Sequence, residues 1–188
     1  KGPPTDRPAP STPIFLRPDN TGAGLFPNPD NVYVATILHH TPGKIVVVHG
    51  KAPTFPDTGA GDPITGTEQV RYWSICSNEY RKPYPVSSCL ADEAIPLDDQ
   101  GRYTIVVATP EDRPAHADAA HDAAWLRWGS TDHDVLLLVR NMLADPDFAE
   151  SATRLAPGAL AVSSMGAYAP TGAICTPAQF DAGDAACG

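Results

Sequence analysis

Proline and glycine punctuate this sequence heavily: 21 prolines and 15 glycines stand among 188 residues. Proline breaks a helix because it lacks a backbone N–H and its ring clashes with the preceding turn, and glycine weakens helices through its conformational freedom. A chain interrupted so often can hold only short regular elements. The composition therefore predicts a mostly β fold of strands joined by loops, with one or two short helices, and the length suits one domain.

The four cysteines fall into two close pairs. Cys76 and Cys89 are thirteen residues apart, and Cys175 and Cys187 are twelve apart. Neither spacing is the C-x-x-C of zinc or redox sites, so we predict two local disulfides, each worth about 3 kcal/mol by the loop-entropy model. Disulfides persist in oxidising compartments, which predicts a secreted, cell-surface or periplasmic protein.

The charge balance argues against two classes of partner. The net charge is −9 and the sequence pI is about 4.9, whereas nucleic acids and anionic membrane surfaces attract basic proteins. No apolar run approaches the roughly 18 residues of a membrane span. We therefore expect neither nucleic-acid binding nor a membrane span.

Two further features suggest a bacterial exported protein. The chain begins at Lys1 without an apolar signal segment, which we interpret as a mature or trimmed exported chain. The alanine-, aspartate-, proline- and glycine-rich, lysine-poor composition is typical of high-GC bacteria.

The chain divides into a proline-rich arm, residues 1–13, and one domain, residues 14–188, whose C-terminal tail the second cysteine pair closes. Ordering a free arm costs roughly 1–2 kcal/mol per residue in backbone entropy, so contacts must hold it. The arm is expected to lie either on its own domain as a strap or on a neighbouring subunit. The second arrangement would make the protein a homo-oligomer.

Alternation of apolar and polar residues, together with β-branched side chains, marks the strands. The residues between 39 and 44 have the length and composition of a hairpin turn, so the strands flanking them are predicted to pair. Near the C-terminus, helix-start residues predict a helix over residues 146–155 and a single turn over 176–180. The predicted strands are residues 13–18, 31–39, 44–49, 68–77, 102–109 and 134–140.

Histidines are the first candidates for a metal site. His39, His40 and His49 lie at opposite ends of the predicted hairpin, roughly 20 Å apart at about 3.3 Å per residue. His116 and His121 are five residues apart and would face different sides of a helix. No histidine metal site is therefore predicted.

The sequence offers little support for a hydrolytic triad or a calcium site. Ser130, His133 and Asp134 lie too close together on one turn for a hydrolytic relay, and no G-x-S-x-G motif is present. The acidic loops at residues 19–20, 57–62 and 98–99 are candidates for calcium, although none has the full EF-hand pattern. Aspartate, asparagine and glycine also serve turns, which is the alternative interpretation.

Arginines and aromatic residues are the remaining candidates. Arg71, Arg127 and Arg140 stand within apolar strands, where an arginine needs a partner. They predict either structural ion pairs with acidic residues or an anion-binding cleft. The aromatic residues could form a core or a platform for a sugar; they are Trp73, Trp125, Trp128, Tyr72, Tyr80 and Tyr84.

A family resemblance covers residues 44–150. It rests on an Arg-Tyr-Trp-Ser strand, a glycine-launched strand, a proline, a tryptophan corner and a strand ending in arginine; these are residues 71–74, 101–107, 114, 124–129 and 135–140. The pattern resembles the domain-of-unknown-function family twelve-fourteen of exported bacterial proteins. Ala124 and Arg127 replace the family's usual Asn and Pro. The resemblance implies a jelly-roll-like β-sandwich and no agreed activity.

These observations favour an exported, non-catalytic β-sandwich protein that acts in binding or assembly at the cell surface. The alternatives are an envelope-associated enzyme and a carbohydrate-binding module whose partner is envelope polysaccharide. Converging carboxylates or a perturbed histidine in a pocket would favour the enzyme. Exposed coplanar aromatic rings would favour the carbohydrate-binding module.

Overall fold

The computed structural model describes residues 12–19, 28, 30–64 and 66–188, and β-strands dominate this part of the chain. Within it, one four-stranded sheet has the order β1-β7-β3-β4 and the other β6-β5-β2-β8. All neighbours are antiparallel except β5 and β6, which are parallel. The prediction of a mostly β fold is confirmed. The strands are β1 Asn31–Leu38, β2 Ile45–Lys51, β3 Val70–Glu79, β4 Val86–Ala91, β5 Arg102–Ala108, β6 Ala123–Arg127, β7 Val135–Ala144 and β8 Thr171–Cys175.

The predicted hairpin of residues 31–39 with 44–49 is wrong in its pairing, although both segments are strands. β1 pairs with β7, whereas β2 pairs with β5 and β8 in the other sheet. The turn itself is tight, since Lys44 N–H donates to the Thr41 carbonyl at 3.0 Å and Gly43 has φ 73°. The connection crosses from one sheet to the other, and β2 lies in the interior of the second sheet between β5 and β8.

One short α-helix, α1, spans Pro177–Asp181, which confirms the predicted turn. Thr176 accepts from the backbone N–H of Gln179, whose side chain accepts from Thr176 N–H. This is a capping box, which satisfies two donors of the first turn.

The helix predicted over residues 146–155 is wrong. Asp145 does cap its turn, accepting the N–H of Asp147 at 2.7 Å. The Ser151 side chain then accepts the N–H of Thr153 and starts a separate 3-10 turn, Ala152–Arg154. Serine competes for backbone donors in this way, which divides the segment into two short turns.

The main hydrophobic core draws on both sheets. Trp73 and Ile75 of β3 belong to the same buried cluster as Val48 of β2 and Ile105 of β5. A second cluster lies on the other face of β2, where Ile45 and Val47 pack with Cys175, Cys187 and Phe180 of the C-terminal tail.

Both predicted disulfides are present. Cys76 and Cys89 lie directly opposite each other on β3 and β4. Cys175 ends β8 and joins Cys187, which holds the tail against the sheet. The Cys187 carbonyl also lies 2.9 Å from Nε2 of His49.

Residues 12–18, which we call the strap, link the edges of the two sheets. Leu16 forms an antiparallel bridge with Ala35 of β1, with backbone hydrogen bonds of 3.0 and 2.8 Å. Pro13 is buried against Gly172 of β8. Of the strand predicted over residues 13–18, only Leu16 forms a β-bridge, and the described contacts of the strap are with its own chain. The arm prediction for residues 1–11 lies outside the described residues.

Asp92 directly follows the last residue of β4 and lies beside β3. Its carboxylate accepts the backbone N–H of Trp73 at 3.1 Å and that of Glu93 at 3.0 Å. Burial raises the pKa of Asp92, and the two N–H donors and the charge of Arg71 oppose this only in part. The Asp92 carboxylate therefore supplies the hydrogen-bond acceptor that a backbone carbonyl of a neighbouring strand would otherwise give to Trp73. Its burial disfavours the charged form of the carboxyl group.

Replacing Gly172 by alanine should destabilise the fold by about 1–3 kcal/mol, because the new Cβ would lie 2.8 Å from Cγ of Pro13. Urea denaturation of Gly172→Ala measures the cost. The matched background is Pro13→Gly, in which the clash is removed and the same substitution should cost less than about 1 kcal/mol. An equal cost in both backgrounds would show that the strap does not press on β8.

The raised pKa of Asp92 predicts a pH-dependent effect of Asp92→Asn. Between the unfolded and folded pKa values the native state binds more protons, so the contribution of Asp92 to stability falls as pH rises through this interval. Asparagine lacks this titration and turns an N–H₂ toward one donor, costing about 1–2 kcal/mol. The destabilisation of the variant, from urea denaturation, should be larger at low pH than at neutral pH. A larger loss at neutral pH would contradict the assignment.

Candidate binding site at the loop end

Three loops emerge at the same end of the first sheet, which we call the loop end. The register places Leu38 of β1 and Glu79 of β3 beside Val135 of β7. The β1–β2 loop, the β3–β4 loop and the β6–β7 loop therefore start or finish at one level. Loops held by a rigid strand scaffold are where β proteins commonly place binding residues.

The β3–β4 loop, residues 80–85, is fixed by hydrogen bonds at its base. Glu79 N–H donates to the Pro85 carbonyl at 3.0 Å, and Tyr80 N–H donates to the Asp134 carbonyl at 2.7 Å. Nδ2 of Asn78 donates to the Tyr84 carbonyl at 3.0 Å. These bonds hold Tyr84 at φ 63°, a left-handed conformation that is rare for a bulky residue.

The exposed surface of this loop combines aromatic and basic groups. Tyr80 is 37% exposed, and its ring lies 5.9 Å from that of Tyr84 with a tilt of 32°. The Arg81 side chain is 58% exposed, with its Nε 2.5 Å from Oε2 of Glu79. Lys82 is exposed and has no ion-pair partner within the described part of the chain.

Beside the loops lies a shallow open cleft between the sheets, which encloses only about 30 Å³. Lys44, Thr41 and His39 contribute its polar groups, and Trp128 contributes an aromatic wall. The indole N–H of Trp128 is buried and has no acceptor among the described residues. The apolar lining comes from Pro13, Ile37, Leu38, Ile45, Val46 and Ile174.

Two histidine–carboxylate pairs tie the loops together. Nδ1 of His39 lies 2.7 Å from Oδ1 of Asp134, which joins the β1–β2 loop to the β6–β7 loop. Nε2 of His40 lies 4.0 Å from Asp112, which also accepts the N–H of Gly43 at 3.3 Å. A carboxylate at Nδ1 fixes the orientation of the His39 ring, so Nε2 is the nitrogen left for a ligand or a proton.

The three arginines predicted as site residues do not meet in a cleft. The guanidinium of Arg140 lies 5.1 Å from the ring centre of Tyr33, and that of Arg127 lies 5.8 Å from the ring of Trp125. Arg71 acts on Asp92 only through its charge. Among the described residues none of the three forms an ion pair. For Arg127 and Arg140, cation–π contacts take the place of the structural ion pairs that we considered.

The geometry expected for His116 and His121 is wrong. Residues 116–124 contain a 3-10 turn and the start of β6, and the two rings stack at 4.0 Å. The hydrogen bond to His121 holds the pKa of Asp118 below its usual range. Within the described ranges no three histidine, cysteine, aspartate or glutamate side chains form a group suited to a metal.

The acidic loops use their carboxylates as turn acceptors. Oδ1 of Asp57 accepts the N–H of Ala60 at 2.8 Å. Oδ1 of Asp98 accepts the N–H groups of Arg102 and Gln100, and the bond from Arg102 lowers the pKa of Asp98 most. Turn chemistry therefore accounts for these two loops, and calcium binding stays untested.

The aromatic residues separate into three groups. Trp73 and Trp128 are buried in the core, whereas Tyr72 and Trp125 are half-buried. The guanidinium of Arg113 lies 4.5 Å from the ring centre of Trp125. Tyr80 and Tyr84 alone among these candidates lie on the described β3–β4 loop. A platform of exposed tryptophans is therefore not formed by these three residues.

A smaller cleft of only about 10 Å³ lies at the opposite end, bounded by Trp73, Tyr103 and Tyr168. Lys51 lies 5.5 Å from the ring centre of Tyr168. Burial raises the pKa of Tyr103, so its phenol is held in the neutral form. This end is closed by packed core residues.

Sequence reasoning missed the loop-end residues Arg81, Lys82, Lys44 and the His39–Asp134 pair. A signal was present, since a run of tyrosine, arginine, lysine and proline lies between two cysteines that staple a hairpin. The histidine pairing left no such signal, because His39 and Asp134 are 95 residues apart.

No helix among the described residues is long and apolar enough to cross a membrane. No family model matches the chain, and no curated protein matches it. A solved structure of an uncharacterised protein from Burkholderia cenocepacia is similar, with 19% identity and a TM-score of 0.48 over 80% of this chain. The similar region covers 34% of that protein, so this chain spans about a third of its length.

Proposed function

We propose that this chain is an exported, non-catalytic protein with a jelly-roll-like β-sandwich fold that binds a component of the bacterial cell envelope through its loop end. Two sheets that share one core support the architecture. Two disulfides support a secreted, cell-surface or periplasmic location.

One observation carries the proposal: the loop end joins an open cleft to exposed aromatic and basic groups. Lys44 borders the cleft, and Arg81 and Lys82 project from the neighbouring loop. In a chain with net charge −9, two of these cations, Lys44 and Lys82, have no ion-pair partner in the described ranges. Such groups favour recognition of an acidic or polar ligand.

The size and lining of the cleft favour a substituent rather than a whole molecule. The cleft encloses only about 30 Å³, far less than the roughly 300 Å³ at which sites for whole small molecules begin. Apolar walls beside Lys44 suit a short apolar group that carries an acceptor oxygen. The main part of the ligand would then lie across the loops.

Assembly through the N-terminal segment is the other part of the proposal. The strap closes a gap between two edges of its own chain, which favours the intramolecular arrangement for residues 12–18. A homo-oligomer formed through residues 1–11 stays a separate hypothesis. Covering an edge strand would serve either arrangement.

An envelope enzyme is the second candidate, because His39 lines the cleft and is oriented by Asp134 at 2.7 Å. A histidine held in this way can act as a general base. The two functions differ in the fate of the ligand, which a binding protein releases unchanged. Cleavage of envelope material that His39→Gln abolishes, with binding retained, would establish the enzyme.

Charge reversal at the loop end tests the proposed function. Labelled protein should cosediment with isolated bacterial envelopes, and Lys44→Glu combined with Lys82→Glu should weaken this binding at least about tenfold, since two exposed attractions become repulsions. The matched control is Arg102→Glu, whose side chain is 63% exposed at the opposite end. Equal binding by both variants, or no binding by the original protein, would refute the proposal.

A further inference from the structure

We propose that the β3–β4 loop is a recognition site for an acidic oligosaccharide, in which Tyr80 stacks on a sugar ring while Arg81 and Lys82 hold a sugar carboxylate. This deepens the proposed function and rests on it for the biological setting, since it names the class of ligand at one part of the loop end. The binding chemistry itself depends only on this loop.

The loop is ordered before any ligand arrives. Cys76–Cys89 joins the two strands beneath it, and hydrogen bonds from Glu79 and Asn78 hold its base. Binding therefore costs little conformational entropy, which matters for weakly binding ligands such as sugars. The left-handed conformation of Tyr84 is held by the same bonds, and strained residues of this type cluster at ligand sites.

Arg81 is oriented for a carboxylate. Its Nε is engaged by Oε2 of Glu79 at 2.5 Å, and a guanidinium has five N–H donors in a fixed fork. The two terminal nitrogens are left to meet a carboxylate in a bidentate manner. Lys82, the next residue, adds a point charge without an ion-pair partner in the described ranges.

Tyr80 supplies the surface for the ring of the sugar. It is 37% exposed and directly precedes Arg81. The neighbouring Tyr84 ring, tilted by 32°, braces it from one side. An aromatic face attracts the weakly positive C–H groups on one side of a pyranose ring, because the ring quadrupole is negative at its face.

The overall charge selects against dense polyanions. The chain carries −9, and at physiological salt that field extends over a Debye length of about 8 Å. Nucleic acid presents one charge for about every 1.7 Å of duplex and meets this repulsion along its whole length. A glycan in which acidic sugars alternate with neutral ones can place one carboxylate at Arg81 and Lys82 and keep the others apart.

Stacking also separates a glycan from an acidic peptide. A glutamate-rich peptide could meet the two cations, but it offers no ring to Tyr80. The loop exposes both features in adjacent positions, so the ligand it fits is an acidic sugar polymer. The peptide becomes an outcome of the test.

The experiment titrates the full chain with hyaluronan, in which acidic and neutral sugars alternate, and follows binding by calorimetry. Dextran serves as the neutral glycan and polyglutamate as the acidic peptide. Hyaluronan should bind at least about tenfold more tightly than either. Arg81→Ala with Lys82→Ala should weaken it about tenfold or more, and Tyr80→Leu about fivefold.

The control is Arg102→Ala, which removes an exposed, carboxylate-paired arginine at the opposite end and should leave affinity within about twofold. Urea denaturation of each variant confirms that the fold is retained. Equal affinity for polyglutamate and hyaluronan, or an unchanged affinity in the Tyr80 variant, would overturn the assignment to a glycan. No measurable binding of hyaluronan would overturn it outright.

The envelope assay separates this inference from the proposed function. Envelope binding that survives Arg81→Ala with Lys82→Ala but is lost on Lys44→Glu alone would keep the function and refute the inference. Hyaluronan binding that depends on Tyr80, without any envelope binding, would keep the inference and refute the function.

Discussion

Burial of β2 on both of its faces is the constraint on which the rest of the structure depends. Val46 and Val48 point into the core shared by the two sheets, while Ile45 and Val47 face the opposite way and belong to the second cluster. A strand that is apolar on both sides needs a cover on each. The first cover is the other sheet. The second includes the C-terminal tail, which the disulfide Cys175–Cys187 holds in place.

The edge strands of the two sheets also have unpaired groups that must be covered. A strand edge with unpaired N–H and C=O groups invites pairing with other chains. Here the strap pairs with the edge of β1, and Asp92 supplies acceptors where β4 ends. Gly129, at φ 101°, brings the β6–β7 loop against Ser87 of β4. Local devices therefore cover parts of the edges of β1 and β4.

The sequence predicted the parts of this fold that depend on local pattern. The positions of β1, β2, β3, β5 and β7 followed from alternation, whereas β4, β6 and β8 were not predicted. The disulfides followed from the spacing of Cys76 with Cys89 and of Cys175 with Cys187. The pairing of strands did not follow, because β1 and β2 are joined by a turn suited to a hairpin yet belong to different sheets. Nothing local in the chain records which distant strand supplies the edge partner.

The residues of the candidate site were likewise only partly predictable from the sequence. Tyr80 and Tyr84 were among the aromatic candidates, but the sequence did not distinguish them from the tryptophans that are buried in the fold. The surroundings of the candidate arginines were not predictable, because Arg127 and Arg140 lie near aromatic rings that no spacing rule connects to them. The His39–Asp134 pair needed the register of β1 on β7 before it could be seen.

An acidic chain can bind an acidic ligand at the proposed loop-end site, because the attraction and the repulsion act over different distances. Attraction by Arg81 and Lys82 acts at contact distance, where a hydrogen-bonded carboxylate loses its shielding water. Repulsion from the remaining charges acts through solvent and salt, and it decays within about 8–10 Å. A single carboxylate therefore gains more from contact than it loses at long range, whereas a densely charged polymer gains one contact and meets the repulsion many times. In this proposal the net negative charge of the chain excludes densely charged polymers, and the residues of the β3–β4 loop select the ligand that binds.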